Sequence, residues 1–283
     1  MPDNAHKLNV HSETVHNDRF YNDRFYNDRF YNDNAEQLAG QYLSTSFEQV
    51  HASWSSHLNL MLARNMCLLT VLDVGAGAGR DAYYLAQQSH SFTSSALNEQ
   101  GQHVIMQQHV EVVAVEPAQQ LADLGKQHTQ GCNVTWIDDR LPELHRLAIY
   151  QHGFNLILLS AVWMHIPPDE RITALQSLEY LLAPHGKLII SLRHGTNDHN
   201  NSNNNSDSSS NNSHSTRADN GRVMYPVSVD ALQDVASQAH LVIIDATERE
   251  SDKLGRPQVF WQTVILQRIQ DVNASHGMMN TAL

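Results

Sequence analysis

The stretch Asp73-Val74-Gly75-Ala76-Gly77-Ala78-Gly79-Arg80 sets three alternating glycines behind an acidic residue and ahead of helix-compatible residues. Glycine lets a backbone turn sharply and lets a ligand come within contact distance. A helix that opens at Arg80 would point its unpaired amides at that ligand. The chemistry to expect is the binding of a nucleotide-like cofactor. Further along, Glu116-Pro117, Asp138-Asp139 and Ser160-Ala161-Val162-Trp163-Met164-His165 each follow an apolar run, so each would fall at the end of a strand. A carboxylate there can accept both hydroxyls of a ribose, and an imidazole there can act as a general base near neutral pH. The other histidines are scattered among Gln, Asn and Ser without ligand spacing, and no metal site is expected.

The elements that must hold these groups alternate. Leu69-Thr70-Val71-Leu72-Asp73-Val74 suits a buried parallel strand, and Arg80 to Ala86 reads as the helix after it. Val110 to Val115, Asn133 to Ile137, Phe154 to Leu159, Lys187 to Leu192, Leu241 to Asp245 and Val259 to Leu266 read as further strands. Helices are expected over Ala118 to His128, after Pro167-Pro168-Asp169-Glu170, and around Leu232, Val235, Ala236 and Ala239. This is the pattern of a βαβ series.

Residues 17–33 repeat Asn-Asp-Arg-Phe-Tyr with a period of five. Five residues advance a helix by ~500°, which turns each copy ~140° from the last, and an odd period flips a strand's face at every copy. Residues 1–29 are therefore expected to be a disordered leader, with an aromatic-basic sticker for a partner as the other reading. One domain is expected over residues 30–270. Within it, Leu38, Tyr42, Phe47, Val50, Trp54, Leu58 and Leu62 mark a helical lid over 34–66. Residues 89–108 read as a polar insert and 195–220 as a disordered loop, because 197–213 hold only Asn, Asp, His and Ser and offer no apolar area against chain entropy. Residues 271–283 read as a flexible tail.

Composition narrows the function classes. A net charge of -12, with 18 basic residues in 283, argues against a nucleic-acid footprint and favours a small-molecule substrate. Two cysteines, Cys67 and Cys132, suggest neither a disulfide framework nor a thiolate metal site, so a reduced, cytoplasmic setting is expected. The polar start lacks a signal-peptide core, and no apolar run approaches the ~20 residues that span a bilayer.

The spacing of the glycines separates two cofactors. A dinucleotide fingerprint places glycine or alanine at the sixth position, where this chain has Arg80. The form found instead, with Asp73 two places before the first glycine, resembles motif I of the class I S-adenosylmethionine-dependent methyltransferases. From Phe30 to Arg268 the order of motifs is similar to that family: glycine loop, acidic second strand, acid-ended third strand, Phe154-Asn155-Leu156-Ile157 with Ser160 to His165, then Leu181-Leu182-Ala183-Pro184-His185-Gly186-Lys187-Leu188.

The resemblance implies a Rossmann-like α/β fold with a seven-stranded, mostly parallel sheet, helices on both faces and the last strand antiparallel between the fifth and sixth. It implies S-adenosyl-L-methionine as cofactor, touched by Asp73, Gly75, Ala76, Gly77, Gly79, Arg80, Glu116, Pro117, Asp138, Asp139, Ser160 and Trp163. Asp139-Arg140-Leu141-Pro142 resembles the adenine-contacting form, and Glu116 would take the ribose although it lies well beyond the ~20 residues usual after a glycine fingerprint. Alternatives stand beside several of these: Asp73 as a brace for the turn, Arg80 on an acidic neighbour, the Asp138-Asp139 pair as a solvated strand end, Trp163 as core. His165 is the candidate base. Arg193, Arg222, Tyr225 and Arg256 are candidates for holding an anionic or hydroxylated substrate. Rival functions are a nicotinamide-dependent dehydrogenase and a cofactor-binding regulatory protein without turnover.

Overall fold

The computed structural model describes residues 23, 26–64, 68–97, 103–195, 217–219 and 221–272. The first copies of the repeat, most of the Asn/Ser tract and the expected tail lie outside them. Helices α1 (Ala35–Leu43), α2 (Phe47–Val50) and α3 (Ser55–Arg64) precede the first strand, β1 (Leu68–Val74). The chain continues through α4 (Arg80–Ala86), β2 (His90–Leu97), β3 (His103–Val115), α5 (Gln119–His128), β4 (Val134–Ile137) and β5 (Phe154–Leu159). It then passes through α6 (Arg171–Leu181), β6 (Leu182–Gly195), β7 (Arg217–Asp219), β8 (Arg222–Met224), α7 (Val229–Gln238), β9 (Leu241–Ala246), β10 (Glu250–Ser251) and β11 (Val259–Arg268).

One sheet carries the fold. Its central strands run β4-β3-β1-β5-β6-β11-β9, with β11 antiparallel to both neighbours and the other pairings parallel. That is the expected seven-stranded order, and β2 and β10 extend it at either side. Alternate residues along each strand feed separate cores. Leu69, Val71, Val112, Leu156 and Ile189 pack on one face with α4, while Leu72, Val74, Ile157, Leu188 and Ile190 pack on the other with α6 and α7. Both faces are therefore covered, as a parallel sheet requires.

Three expectations shift. The segment expected as a polar insert over 89–108 contains a strand: β2 folds back antiparallel on the first half of β3, which lengthens that strand beyond its parallel part. The segment expected as a lid divides between the core and the cavity. Phe47, Trp54, Leu58 and Met61 belong to the sheet-facing core, and Ser46 opens α2 with a capping box to Gln49, while Tyr42 of α1 reaches the cavity described below. The packed chain also begins before residue 30, since 26–33 are helical, and residues 217–219 of the expected loop pair as β7 with β8. Among the described residues no helix is long and apolar enough to cross a membrane.

Candidate functional site

A cavity of about 280 Å³ opens at the carboxyl edge of β1, β3, β5 and β6. One end of it is built from backbone. Gly75, Gly77 and Gly79 all adopt positive φ (71°, 57° and 80°), and the Gly75 and Ala76 amides bond the Val115 carbonyl at 2.8 and 2.9 Å, folding the loop across the end of β3. A side chain at Gly75 would collide with Val162, with its Cβ only 2.4 Å from Cγ2. Gly79 turns away from the cavity to pack beside Trp136 and Gly125.

Glu116 sits under this loop. Its two carboxylate oxygens accept the Gly77 amide at 3.0 Å and the Ala118 amide at 2.9 Å, and it still lines the cavity with Pro117. Burial pushes its pKa up to about 7, against the pull of those two amides. Each carboxylate oxygen can accept more than one hydrogen bond, so the group keeps capacity for hydroxyls on the cavity side.

Arg80 rests on an acidic neighbour, one of the alternatives left open above. Arg80 bonds Asp81 through Nε (2.6 Å) and Nη2 (3.1 Å), while Nη1 reaches the Tyr42 carbonyl and the Thr45 hydroxyl on the α1 side. Asp81 also meets His51 Nε2 at 2.9 Å, and Trp54 donates to His51 Nδ1. Burial alone would raise the Asp81 carboxyl, but His51 and Arg80 override it and hold the group far below the usual range. Arg80 is thus a latch between the loop helix and the N-terminal helices that also borders the cavity. Asp73 is buried beneath the loop, not on the cavity wall, and its Oδ2 meets no hydrogen-bond partner. Burial, then Asp81, push its carboxyl well up.

At the ends of β4 and β5 the structure chooses among neighbours. Asp139 lines the cavity and accepts the Arg140 and Arg146 amides at 2.8 and 2.7 Å. Asp138 points to solvent and pairs loosely with Arg146 at 3.7 Å, so it is not a site residue. Ser160 borders the cavity; Trp163 does not. The 3₁₀ turn Trp163–His165 drives the indole into the core, 1% exposed, with the Arg171 guanidinium 5.5 Å from its centroid. Its expected place as an aromatic wall falls instead to Tyr31 and Tyr42, which sequence reading missed.

The far end of the cavity is built from side chains. His165 Nδ1 donates to the Val223 carbonyl (3.0 Å), which leaves Nε2 to accept the Tyr31 hydroxyl (2.9 Å). Burial above all lowers the ring's pKa to about 4, so His165 is neutral and both its nitrogens are engaged. A free general base is not what this geometry provides; a clamp on Tyr31 is. Asn27 fixes the same corner, exchanging two hydrogen bonds with the Val223 backbone (2.8 and 3.1 Å). Asp28 bridges to Arg140 at 2.8 Å, and Asn32 accepts the Gln120 amide at 2.8 Å, capping α5 from outside.

Of the expected substrate residues, Arg193, Arg222 and Arg256 line the cavity. Arg256 forks onto Asp252 (3.0 and 2.6 Å), whose carboxylate also takes Trp261 Nε1 and organises the loop after β10. Tyr225 is buried off the cavity, with its hydroxyl on Asp23 at 2.7 Å, and is not a substrate contact.

This strand order, with a glycine turn after the first strand and a carboxylate ending the second, is the Rossmann-like arrangement expected from the sequence. No family model matches the chain, and no curated protein matches it by sequence. Solved structures do. A protein from Listeria monocytogenes, provisionally named an S-adenosylmethionine-dependent methyltransferase, is 17% identical over 77% of this chain and 98% of its own, with a TM-score of 0.50. The 1,6-didemethyltoxoflavin-N1-methyltransferase of Burkholderia thailandensis, solved with its substrate and S-adenosylhomocysteine, is 19% identical over 83% and 89% of the two chains, at a TM-score of 0.49. At such identities the likeness is one of fold.

Proposed function

We propose that the chain is an S-adenosylmethionine-dependent methyltransferase acting on a small molecule. The observation that carries this is Glu116: a carboxylate at the end of the second strand, fixed by the Gly77 and Ala118 amides and exposed to the cavity beside the glycine loop. The residues present suit the cofactor. Glu116 would take the ribose hydroxyls, Asp139 with Leu141 the adenine, and the loop from Gly75 to Gly77 leaves room for close approach of the amino-acid end. When bound, the cofactor supplies an electrophilic methyl group on a sulfonium.

The chain's own contribution is alignment and exclusion of water, which suffice for much of an in-line displacement. The helical segment 26–33 and α1 lie against the cavity through Asn27, Tyr31 and Tyr42. His165 keeps the Tyr31 hydroxyl oriented, and burial raises the Tyr31 pKa, so this ring stays a neutral donor. An aromatic face also attracts a cationic centre. Arg80, at the position a dinucleotide fingerprint reserves for glycine or alanine, is held on Asp81 and weighs against a nicotinamide cofactor. Isothermal titration with S-adenosylmethionine, S-adenosylhomocysteine and NAD(H) tests the reading. One-to-one binding of the first two and none of the third is expected; a folded protein that binds neither sulfur compound overturns it.

A further inference from the structure

A hydrogen-bonded series runs from the N-terminal helices to the glycine end of the cavity. Trp54, in the 3₁₀ turn Ala52–Trp54, donates its indole N–H to His51 Nδ1 at 3.0 Å. That contact fixes the tautomer: Nδ1 accepts, so the ring proton sits on Nε2, which donates to Asp81 Oδ2 at 2.9 Å. Asp81 also takes the Arg80 guanidinium as a fork, Nε on Oδ1 at 2.6 Å and Nη2 on Oδ2 at 3.1 Å. Against its burial, His51 and Arg80 hold the Asp81 carboxyl ionised. Trp54, His51 and Asp81 are all buried, and the imidazole packs against the Phe47 and Trp54 rings, with centroids 4.5 and 5.4 Å away. Neither the ring nor the carboxylate has room to swing aside.

The series ends on the cavity wall, where His51, Asp81 and Arg80 lie beside Gly77 and Thr45. Two of the five guanidinium N–H groups go to Asp81, and Nη1 meets the Tyr42 carbonyl and the Thr45 hydroxyl only at 3.5 and 3.4 Å, so Arg80 keeps donor capacity for a ligand. Stability alone does not call for such a pair, since packed apolar side chains serve as well without the desolvation of two charges. On a cavity wall it has another use. A guanidinium and a carboxylate side by side are neutral together and complement a zwitterion, and the amino-acid end of S-adenosylmethionine is one.

We infer that His51 is a positioning residue of the cofactor site: held by Trp54, it fixes the Asp81 carboxylate, and through it the Arg80 guanidinium, for the carboxylate at the amino-acid end of the cofactor. This rests on the methyltransferase reading and adds to it a residue that the glycine loop does not announce. His51 acts through Asp81 and Arg80, so its effect falls on the affinity for one part of the ligand. The adenosine part, assigned to Glu116 and Asp139, lies outside the series and should not feel it.

Titration of the full chain with two sulfides tests this: S-adenosylhomocysteine, and its decarboxylated analogue, which keeps the amine and the adenosine. The wild-type protein is expected to bind the first more tightly by about tenfold or more, as a charge-assisted contact does. Arg80→Met should abolish that preference. His51→Asn keeps an acceptor for Trp54 but falls short of Asp81, and His51→Phe keeps the ring without either hydrogen bond; each should cut the preference to about twofold, with affinity for the decarboxylated analogue within about twofold of wild type. That unchanged affinity reports intact folding, and either variant suffices if the other does not fold. His51→Gln, whose longer amide reaches toward Asp81, should keep the preference within about threefold of wild type. Equal loss on both sulfides, a wild-type preference in His51→Asn and His51→Phe, or no preference in the wild-type protein overturns the inference while leaving the methyltransferase reading in place. Failure of S-adenosylhomocysteine to bind the wild-type protein overturns the reading itself, and the inference with it.

Discussion

The two ends of the cavity are made of different materials. The glycine end is held by main chain: the Gly75, Ala76 and Gly77 amides after β1, the Val115 carbonyl that ends β3, and one carboxylate, Glu116, clasped by the Gly77 and Ala118 amides. The far end is held by side chains from remote segments. Tyr31 meets His165 across 134 residues, and Asn27 meets the Val223 backbone across 196. A main-chain site tolerates change in the surface around it but not in its few glycines and its carboxylate. A side-chain site can be re-cut without disturbing the sheet.

If this division is right, the largest single loss should come from the clasped carboxylate. Glu116→Ala removes the ribose acceptor and leaves the Gly77 and Ala118 amides without it, so titration should show S-adenosylhomocysteine binding weakened by about a hundredfold, or ~2.7 kcal/mol. A loss below about fivefold would break the comparison. The same group should write a pH dependence. Its pKa of about 7 lies above the ordinary glutamate value, so the unliganded fold is least penalised when Glu116 is protonated, and this contribution to stability fades as pH rises through 7. Cofactor hydroxyls instead prefer the ionised form. Affinity should therefore weaken by about tenfold from pH 8 to pH 6, and Glu116→Gln should flatten that profile.

At the other end the effects should fall on turnover. Tyr31→Phe deletes the hydroxyl that links His165 to Arg222 and should lower kcat by about tenfold with S-adenosylhomocysteine affinity within about threefold. An equal loss in both would mean that the two ends are one site. The smallest effect marks the boundary: Asp138→Ala should leave affinity and turnover within about twofold, because that carboxylate faces water.

The same contrast governs what could be read from the chain. The glycine loop, Glu116, the strand pattern from Val71 to Leu159 and the helix after Pro168 follow local rules of periodicity and turn chemistry, and the structure places them as those rules require. The far corner follows none. Successive copies of the five-residue repeat cannot share a helical face, yet a single copy with the residue after it can: Asn27, Asp28, Tyr31 and Asn32 fall on one side of a helix, and all four dock. Trp163 was misplaced for a related reason, since strand-end position does not say which way a 3₁₀ turn aims its side chains, and here the larger ring went inward. Tyr225 likewise lies beside the cavity in sequence but is claimed by Asp23.

A crystal structure with S-adenosylhomocysteine tests the account at its centre. Both ribose hydroxyls should lie within hydrogen-bonding distance of the Glu116 carboxylate, with the sulfur turned toward the corner of Tyr31, Arg193 and Arg222. A ligand seated elsewhere, or a Glu116 carboxylate turned away from the ribose, would contradict it.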